Sequence, residues 1–270
     1  MTPMPEYRVV PGQSVSLAGW DPDDTGNIPN KAEGERLLKI DRKRIIALQE
    51  RLFAEAGQSL LIILQATDTG GKDGTIKHVF RGVNLQGCQV RSFKVPNDVE
   101  RAHDFLWRYH QHTPRHGSIT IFNRSHYEDV LVVRVKKLVE EAVWSGRYEQ
   151  INDFERTLAA HGTRILKFYL HISKDEQKAR LQARLDDPEK HWKFSVGDLA
   201  ERERWDAYQE AFEDAIARCS TDHAPWYVIP ANRKWYRNAV IARIVADTME
   251  EMNPQFPAPE SGLESITIPD

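Results

Sequence analysis

Cysteine is scarce in this chain, and its scarcity argues against several classes of protein. The 270 residues contain 2 cysteines, Cys88 and Cys219, which lie far apart and outside any C-x-x-C pattern. This argues against a disulfide scaffold and a cysteine-ligated zinc site, and it fits a reducing compartment. Long apolar runs are also missing, since no stretch approaches about 18 apolar residues and the N-terminus has no apolar signal-peptide core. We expect no membrane span and a cytoplasmic location.

An overall excess of positive charge is absent as well. The chain has 37 Lys and Arg against 40 Asp and Glu, a net charge of −3, which argues against a protein that coats nucleic acid. The basic residues are nevertheless concentrated, because 12 Lys and Arg stand against 6 Asp and Glu between Lys72 and Lys137. Local positive charge of this kind predicts a groove for a polyanionic substrate. The alternative is a basic helix face that is simply solvated.

A glycine-rich turn between an apolar run and a helical pattern is the most informative motif. Residues 60–65 read Leu-Leu-Ile-Ile-Leu-Gln, which predicts a buried strand, and Gly70, Gly71 and Lys72 follow shortly. Apolar residues then recur at helical spacing over 76–83. The amides of such a turn and of the helix start bind phosphate, and the lysine adds a charge. The alternative is a glycine-rich hairpin after a core strand.

The loop departs from the usual phosphate-loop pattern, G-x-x-x-x-G-K-[ST], at two positions. Ala66 stands in place of the first glycine, and Asp73 replaces the final Ser or Thr, whose hydroxyl helps hold Mg²⁺. Asp68 also lies inside the loop. Carboxylate oxygens are hard ligands that suit Mg²⁺. We therefore expect metal binding to have moved to Asp68, Asp73 or both.

Strand and helix patterns alternate along the chain, which is typical of a parallel sheet covered by helices on both faces. We predict strands at 60–65, 89–94, 118–122, 164–172 and 226–229. We predict helices at about 31–56, from 97, at about 127–144, from 173 to before 188, from 195 to about 218, and at 236–252. Right-handed crossovers place the loops that follow the strands along one edge of the sheet, where ligands bind.

Polar residues follow the predicted third strand, at Asn123, Arg124, Glu128 and Asp129. Because the carboxyl ends of parallel strands share an edge, this cluster should lie beside the glycine-rich loop. Arg124 can stabilise charge on a transferring phosphoryl group, and the two acids offer oxygens to Mg²⁺ or to an acceptor. The alternative is a polar first helical turn, where the helix dipole favours acids anyway.

The segment at about 184–205 lies where P-loop kinases carry a mobile lid. Its charges are mixed, so it is not a basic patch as a whole. We expect Arg180, Arg184, Lys190 and Lys193 to turn inward toward phosphate, with closure excluding water from the reaction. The alternative is a solvated helical hairpin with salt bridges.

Four motifs in this order resemble the family-2 polyphosphate kinases. They are A-T-D-T-G-G-K-D-G from Ala66, F-N-R-S-H-Y-E-D-V from Phe122, D-P-E-K-H-W-K-F-S from Asp187 with Trp205, Asp206 and Tyr208 beyond it, and P-W-Y-V-I-P-A-N from Pro225. The resemblance extends over about residues 15–255. It implies a thymidylate-kinase-like P-loop kinase fold, a three-layer α/β/α sandwich with a five-stranded parallel sheet and a helical lid.

The resemblance also implies a chemistry. It is the reversible transfer of a phosphoryl group between inorganic polyphosphate and nucleotides, which converts AMP to ADP and ADP to ATP. The implied cofactor is Mg²⁺, for which Mn²⁺ can substitute. Asp68, Lys72 and Arg124 match the catalytic positions, and Asp68 and Asp129 are the expected metal ligands. The expected substrate-binding residues are Gly70, Gly71, Asp73, Gly74, Thr75, Lys77, Arg81, Asn123, Glu128, Arg180, Arg184, Lys190 and Lys193.

Two positions depart from the family pattern. Many members have Asp where this chain has Asn123, and Trp where it has His126. Because an amide is a poor metal ligand, we expect Asp129 or Asp68 to take over that duty. The form N-R-S-H-Y-E-D resembles the subgroup that phosphorylates both nucleoside monophosphates and diphosphates. Glu128 is the position that we associate with accepting the monophosphate.

We divide the chain into three parts. Residues 1–56 form an N-terminal arm and a first helix packed on the core, residues 57–253 form the kinase domain, and residues 254–270 form a disordered tail. We expect a homo-oligomer that binds neither nucleic acid nor membrane.

Two rival functions stay open. An ATP-dependent nucleoside monophosphate kinase would need an adenine pocket on the donor side, where this sequence has basic residues. A non-catalytic P-loop regulator would bind polyanions or nucleotides without turnover. The presence of Lys72, Asp68 and Arg124 argues against the regulator, because a decayed loop would lose them.

Overall fold

The computed structural model describes residues 6–269, apart from the side chain of Glu264, and contains one five-stranded sheet. The strands are β1 (Ser59–Gln65), β2 (Cys88–Ser92), β3 (Ile119–Asn123), β4 (Thr163–His171) and β5 (Trp226–Pro230). The helices are α1 (Lys31–Glu55), α2 (Lys72–Val79), α3 (Asp98–Arg101), α4 (Trp107–His110), α5 (Glu128–Val135), α6 (Glu141–Ala160), α7 (Lys174–Leu185), α8 (Gly197–Glu203), α9 (Trp205–Cys219) and α10 (Lys234–Met252). No helix within residues 6–269 is long and apolar enough to cross a membrane.

The sheet is parallel throughout and has the order β2-β3-β1-β4-β5. The central strand β1 is buried along its whole length. From β1 the chain builds β2 and β3 on one side and β4 and β5 on the other, so the direction of winding reverses at β1. Ligands of open α/β sheets bind at such a switch point, beyond the carboxyl ends of the strands. The predicted α/β fold with a five-stranded parallel sheet is confirmed.

Helices cover both faces of the sheet and create two cores. Leu60 and Ile62 of β1 join the apolar residues of α1 and α10 on one face. Leu61 and Ile63 join those of α5, α6 and α9 on the other. Neighbouring side chains of a strand point to opposite faces, and both faces here are apolar. This explains why the sequence of β1 is continuously apolar rather than alternating.

The two edge strands of the sheet differ in whether another segment of the chain covers them. On β2, every residue after Cys88 is exposed. Along β5 the N-terminal arm adds an antiparallel bridge, because the Val9 amide donates to the Trp226 carbonyl at 2.8 Å and the Val228 amide donates to the Tyr7 carbonyl at 3.0 Å. The arm therefore covers an edge that would otherwise offer unpaired backbone groups. The predicted arm also includes residues 1–5, and the predicted tail includes Asp270; these lie outside the described residues.

Two of the local helix signals behave as expected and one does not. Asn97 and Glu100 form a complete capping box, with side-chain to backbone bonds of 2.9 and 2.8 Å. Ser173 accepts the Glu176 amide at 3.1 Å at the start of α7. Ser195 instead accepts the Gly197 amide, and the residue that precedes α8 is Val196.

Three predicted helices are interrupted. The helix expected over 127–144 ends with α5, because Lys137 has a φ of 53° and a left-handed residue ends a helix. A second helix, α6, begins at Glu141 and continues to Ala160, and the sequence predicted no helix beyond about residue 144. The helix expected from Asn97 is α3 followed by α4, where Asp104 accepts the amides that begin α4. The helix expected from 195 to 218 divides into α8 and α9 at Arg204. The apolar periodicity alone did not reveal these breaks.

Candidate active site

The loop between β1 and α2 is shaped to surround an anion. The Gly70 amide donates to the Thr67 carbonyl at 3.1 Å, which closes the turn. Gly71 has a φ of 104°, in the left-handed region that favours glycine, and α2 begins at the next residue. Amides in the first turn of a helix have no intrahelical acceptor and attract anions. This arrangement is that of a phosphate-binding loop.

Lys72 is the first residue of α2, and its ammonium group lies at the carboxyl end of β1. Its Nζ donates to the Ala66 carbonyl at 3.0 Å. Burial and, after it, the Arg124 guanidinium lower the pKa of Lys72 to about 8. The ammonium is therefore still charged at neutral pH, and a phosphate would relieve the cost of that charge.

Arg124 joins the loop to the motif that follows β3. Its Nη2 donates to Asp68 Oδ1 at 2.7 Å, and its Nη1 donates to Glu128 Oε2 at 3.1 Å. Its backbone has a φ of 63°, and its amide donates to the Leu64 carbonyl of β1 at 3.1 Å. The Glu128 and Asp68 carboxylates raise the pKa of Arg124 above its ordinary value. The fold thus brings three residues of the predicted site into one cluster.

The end of β3 faces the first turn of α2. Asn123 Nδ2 donates to Asp73 Oδ1 at 2.6 Å, and Asp73 is exposed. If position 123 held an aspartate, a second carboxylate would lie directly against that of Asp73. Asn123 therefore acts as a hydrogen-bond donor here, a role that an ionised aspartate could not fill.

Gly74 and Thr75 lie on the inner side of the same helical turn. The buried Thr75 hydroxyl donates to the Gly71 carbonyl at 3.2 Å. A Cβ atom added to Gly74 would lie 3.3 Å from Nη2 of Arg237. Both residues therefore pack against the base of the loop, and their contact with substrate stays a prediction from the sequence.

Asp129 is engaged on both of its oxygens. Oδ2 accepts the Tyr109 hydroxyl at 2.8 Å, and Oδ1 accepts Nη1 of Arg147 at 3.2 Å. Burial raises the pKa of Asp129, although Tyr109 and Arg147 act in the opposite direction. These contacts give no support to the prediction that Asp129 is a metal ligand. They describe a carboxylate that fixes the start of α5.

A cavity of about 830 Å³ opens beside the loop. Asp68, Arg124 and Glu128 line it, so two of the three predicted catalytic residues and one predicted substrate-binding residue lie at its wall, whereas Lys72 is not among the described lining residues. Other parts of the wall are aromatic or cationic; they are Phe93, Tyr109, Tyr208 and Phe212, and Lys94, Arg101 and Arg108. The volume lies within the usual range for sites that enclose a small molecule.

The lid segment forms a 3-10 turn at Pro188–Lys193 between α7 and α8. Lys190 pairs with Asp187 at 2.5 Å, and Nζ of Lys193 lies 4.8 Å from the centre of the Trp192 ring. Neither lysine is among the described residues that line the cavity. Arg184 ties the turn to α7, because its Nη1 donates to the Lys193 carbonyl at 2.9 Å.

Arg180 lies in α7, behind the phosphate loop, and its guanidinium is largely occupied. Its Nη1 donates to the Thr69 and Gly70 carbonyls at 3.0 and 3.1 Å, and its Nη2 donates to the Ala231 carbonyl at 2.6 Å. Its Nε donates to Glu176 at 2.7 Å. The sequence predicted a lid residue that turns toward substrate; in the structure Arg180 holds the loop backbone.

Lys77 and Arg81 extend the basic surface beyond the loop. Both side chains are exposed, Lys77 on α2 and Arg81 just after it. The fold therefore leaves them accessible to a polyanion that leaves the phosphate loop along this helix.

A buried polar network supports the residues that follow Arg124. Glu155 accepts the His126 ring at 3.1 Å, the Tyr127 hydroxyl at 2.9 Å and the Lys167 ammonium at 2.5 Å. Burial would raise the pKa of Glu155, but Lys167 and His126 hold it below its ordinary value. This network fixes the backbone between β3 and α5, and so positions Arg124.

Sequence reasoning missed two residues that shape the loop. Nε2 of Gln177 on α7 donates to the Asp68 carbonyl at 3.1 Å. Nη1 of Arg237 on α10 donates to the Gly70 carbonyl at 3.3 Å. Neither lies in a motif that indicates phosphate binding, so no signal in the sequence pointed to them.

Comparison with known proteins gives a consistent result. The family model described as polyphosphate kinase 2 (PPK2) matches residues 29–257. The AMP/ADP-polyphosphate phosphotransferase of Meiothermus ruber is 55% identical over 266 residues, covering 98% of this chain and 100% of that protein. The ADP-polyphosphate phosphotransferase of Rhodopseudomonas palustris is 43% identical over 93% of this chain and 91% of its own length.

A solved structure agrees with these relatives. The crystal structure of polyphosphate kinase 2 from Arthrobacter aurescens TC1 superposes with a TM-score of 0.92 at 46% identity, covering 96% of this chain and 93% of the other. The predicted P-loop kinase fold and the resemblance carried by the four motifs are both confirmed. With the family model matching most of its length, this chain belongs to the polyphosphate kinase 2 family of phosphotransferases.

Proposed function

We propose that this enzyme transfers a phosphoryl group from inorganic polyphosphate to both AMP and ADP, and runs the same steps in reverse. The relatives are named for polyphosphate:nucleotide transfer, and one of them is named for both acceptors. The observation that carries the proposal is the joining of Asp68, Arg124 and Glu128 at the wall of the 830 Å³ cavity beside the phosphate loop.

The cavity provides the acceptor side of this proposal. Aromatic side chains such as Phe93 and Tyr208 offer faces against which a nucleobase can pack, and both line the cavity. Arg101 and Arg108 are further cations on the same wall, and they pair with Asp98 and Glu100 respectively. An AMP in this cavity would present its phosphate toward Arg124.

The loop and α2 provide the donor side. The amides around Gly71 and the ammonium of Lys72 hold the phosphoryl group that is transferred. Lys77 and Arg81 are exposed further along the chain and bind the following phosphates of the polymer. A long polyanion fits an open basic surface, whereas a nucleotide donor would require an enclosed base pocket there.

Transfer requires alignment and charge neutralisation more than covalent catalysis. An oxygen of the acceptor phosphate attacks the terminal phosphorus of the polymer, and the bond from that phosphorus to the bridging oxygen breaks. The shortened polyphosphate leaves with that oxygen. Arg124, held between Asp68 and Glu128, neutralises charge on the transferring group, and Lys72 does the same from the loop.

Magnesium fits the oxygens available at the loop. Mg²⁺ is commonly held by one or two carboxylates together with substrate phosphates, and Asp68 and Asp73 both lie beside the phosphate site. When bound, the ion would shield phosphate charge. Asp68 keeps one oxygen on Arg124 and orients that guanidinium.

One assay tests the proposal and separates it from its rivals. Purified protein with Mg²⁺, polyphosphate and AMP should form ADP first and ATP later, and the Lys72→Ala variant serves as the inactive control. Turnover with ATP or GTP as the sole donor, and none with polyphosphate, would favour an ordinary nucleoside monophosphate kinase. Binding of polyphosphate without any turnover would favour a regulator.

The cytoplasmic location and the homo-oligomeric state remain predictions from the sequence. Fractionation of cells that produce the protein, and light scattering of the purified protein, would test them directly.

A further inference from the structure

Arg237 lies directly beneath the phosphate loop. It belongs to α10, and only 2% of its surface is exposed. Its Nη1 lies 1.9 Å from where a Cβ atom on Gly71 would stand. Because Gly71 has no side chain, the Arg237 guanidinium can approach its backbone this closely, and the residue can also adopt its left-handed conformation.

This guanidinium has only neutral partners. Its Nε and Nη2 donate to Oδ1 of Asn238 at 3.1 and 2.9 Å, and its Nη1 donates to the Gly70 carbonyl at 3.3 Å. Over residues 6–269 it takes part in no ion pair. Arg243, on the same helix, is also buried but pairs with Asp41 at 2.8 Å. A buried arginine normally has a carboxylate, because an uncompensated buried charge is costly.

A second cation adds to this imbalance. Nη1 of Arg180 donates to the same Gly70 carbonyl at 3.1 Å, and Arg180 has one carboxylate partner, Glu176. Burial and then Arg180 lower the pKa of Arg237 to about 9, so folding disfavours its charged form. Two guanidinium groups and one carboxylate leave a net positive charge behind the loop.

The peptide group between Gly70 and Gly71 connects the two arginines to the opposite side of the loop. In a trans peptide the carbonyl of Gly70 and the amide of Gly71 point in opposite directions. Because Arg180 and Arg237 hold the carbonyl, the Gly71 amide points away from them. An anion bound by the loop amides would therefore accept a hydrogen bond from the Gly71 amide. It would also be attracted by the uncompensated positive charge of Arg180 and Arg237.

We propose that Arg237 is a positioning residue of the donor site, a buried cation whose missing counter-charge is the phosphate bound on the opposite side of the loop. The inference rests on the proposed function insofar as that phosphate belongs to polyphosphate. Arg237 acts through the loop by fixing the Gly70 carbonyl and by attracting the anion. A purely structural arginine would instead stabilise the protein without ligand.

The test compares Arg237→Met with Arg243→Met, two neutral replacements of buried arginines on one helix. Melting temperatures are measured without ligand and with increasing tripolyphosphate, in the absence of Mg²⁺. We expect Arg237→Met to melt at or above the wild-type temperature without ligand, because a costly charge is removed. Its affinity for tripolyphosphate should fall at least about tenfold, about 1.4 kcal/mol. Arg243→Met should melt lower and bind tripolyphosphate as the wild type does.

Kinetics and a conservative variant complete the test. Arg237→Met should lower kcat/KM for polyphosphate at least about tenfold while leaving KM for AMP within about twofold. Arg237→Lys, which keeps the charge, should recover most of the affinity. A lower melting temperature in Arg237→Met with undiminished tripolyphosphate affinity would overturn the inference. Failure of Arg237→Met to fold, with Arg237→Lys folding normally, would overturn it too, because the charge would then serve the ligand-free protein.

The outcome is separable from that of the proposed function. If wild-type protein binds tripolyphosphate but transfers nothing from polyphosphate, the proposed function fails, while the binding comparison still decides the role of Arg237. If wild-type protein transfers phosphate and Arg237→Met matches it in affinity and in kcat/KM, only the inference about Arg237 fails.

Discussion

Replacing Asn123 with aspartate would put two carboxylates where the protein now has a hydrogen-bonded amide and a carboxylate. In the wild type, Asn123 Nδ2 donates to Asp73 Oδ1 at 2.6 Å. An ionised aspartate has no proton to donate, so the bond would be lost and the two groups would repel each other. The pKa of one of the two carboxyls would rise in response.

The expected loss of stability without ligand is about 2.5 kcal/mol. A hydrogen bond to a charged group contributes about 1.5–3 kcal/mol, and the low end applies here because Asp73 is exposed. Two charges about 4 Å apart repel by roughly 1 kcal/mol at the dielectric constant of water. At about 2–4 °C per kcal/mol, the melting temperature of Asn123→Asp should fall by about 5–10 °C at neutral pH.

The dependence on pH and on Mg²⁺ gives this prediction its specificity. A carboxyl whose pKa is raised by folding destabilises the protein above that pKa, and the loss disappears as the pH falls through it. The deficit should therefore shrink in acid. Two facing carboxylates also form a pair of hard-oxygen ligands, so Mg²⁺ should raise the melting temperature of Asn123→Asp more than that of the wild type.

A reciprocal exchange is the matched control. The double variant Asp73→Asn with Asn123→Asp keeps one amide and one carboxylate, and it should regain most of the wild-type melting temperature without Mg²⁺. Scanning calorimetry of the three proteins at two pH values, with and without Mg²⁺, would measure these differences. An unchanged melting temperature in Asn123→Asp, or an equal loss in the exchanged pair, would refute the reasoning.

Four further outcomes follow from the site. Lys72→Ala should lower kcat at least about 10²-fold, roughly 2.7 kcal/mol, in a variant whose circular dichroism is normal; near-normal turnover would refute its role. In the wild type, kcat/KM for polyphosphate should fall above about pH 8, because Lys72 of the ligand-free enzyme loses its proton there. The value of kcat should fall only at higher pH, because bound phosphate raises the pKa of Lys72. Identical pH profiles for kcat/KM and kcat would contradict this prediction. Asp68→Asn should raise the Mg²⁺ requirement and reduce activity together, and an unchanged requirement would direct attention to other carboxylates. Replacing both Lys190 and Lys193 with alanine should raise KM for polyphosphate and weaken the dependence of that KM on salt. Glu128→Ala should instead reduce AMP phosphorylation more than ADP phosphorylation. Equal losses in both variants with both acceptors would mean that the polyphosphate site and the acceptor site are not distinct.

Features encoded within a few neighbouring residues could be predicted from the sequence. The apolar run of β1, the glycine turn and the start of α2 at Lys72 are all local, and they fix the phosphate loop. The caps at Asn97 and Ser173 are local as well, because a side chain that bonds an amide three residues on needs no other part of the fold. Alternation of strands and helices then indicated the parallel sheet.

The helix breaks were less accessible to sequence reasoning. Lys137 takes a left-handed backbone that its residue type does not favour, and the apolar spacing runs on past it. The division at Arg204 has the same character, since the helical pattern continues on both sides. Such breaks are set by how each helix packs on the sheet, and periodicity carries little information about that.

Taken alone, the sequence determined the fold class, the loop that binds phosphate, and the residues Asp68, Lys72 and Arg124 that the fold gathers there. Only the tertiary structure decided which polar and charged groups face one another. Asn123 meets Asp73 across 50 residues of chain, and Arg237 reaches the Gly70 carbonyl across 167. The physical reason is range: periodicity and capping act over one or two turns of chain, whereas a buried charge takes its partners from elements that meet only after the sheet has assembled.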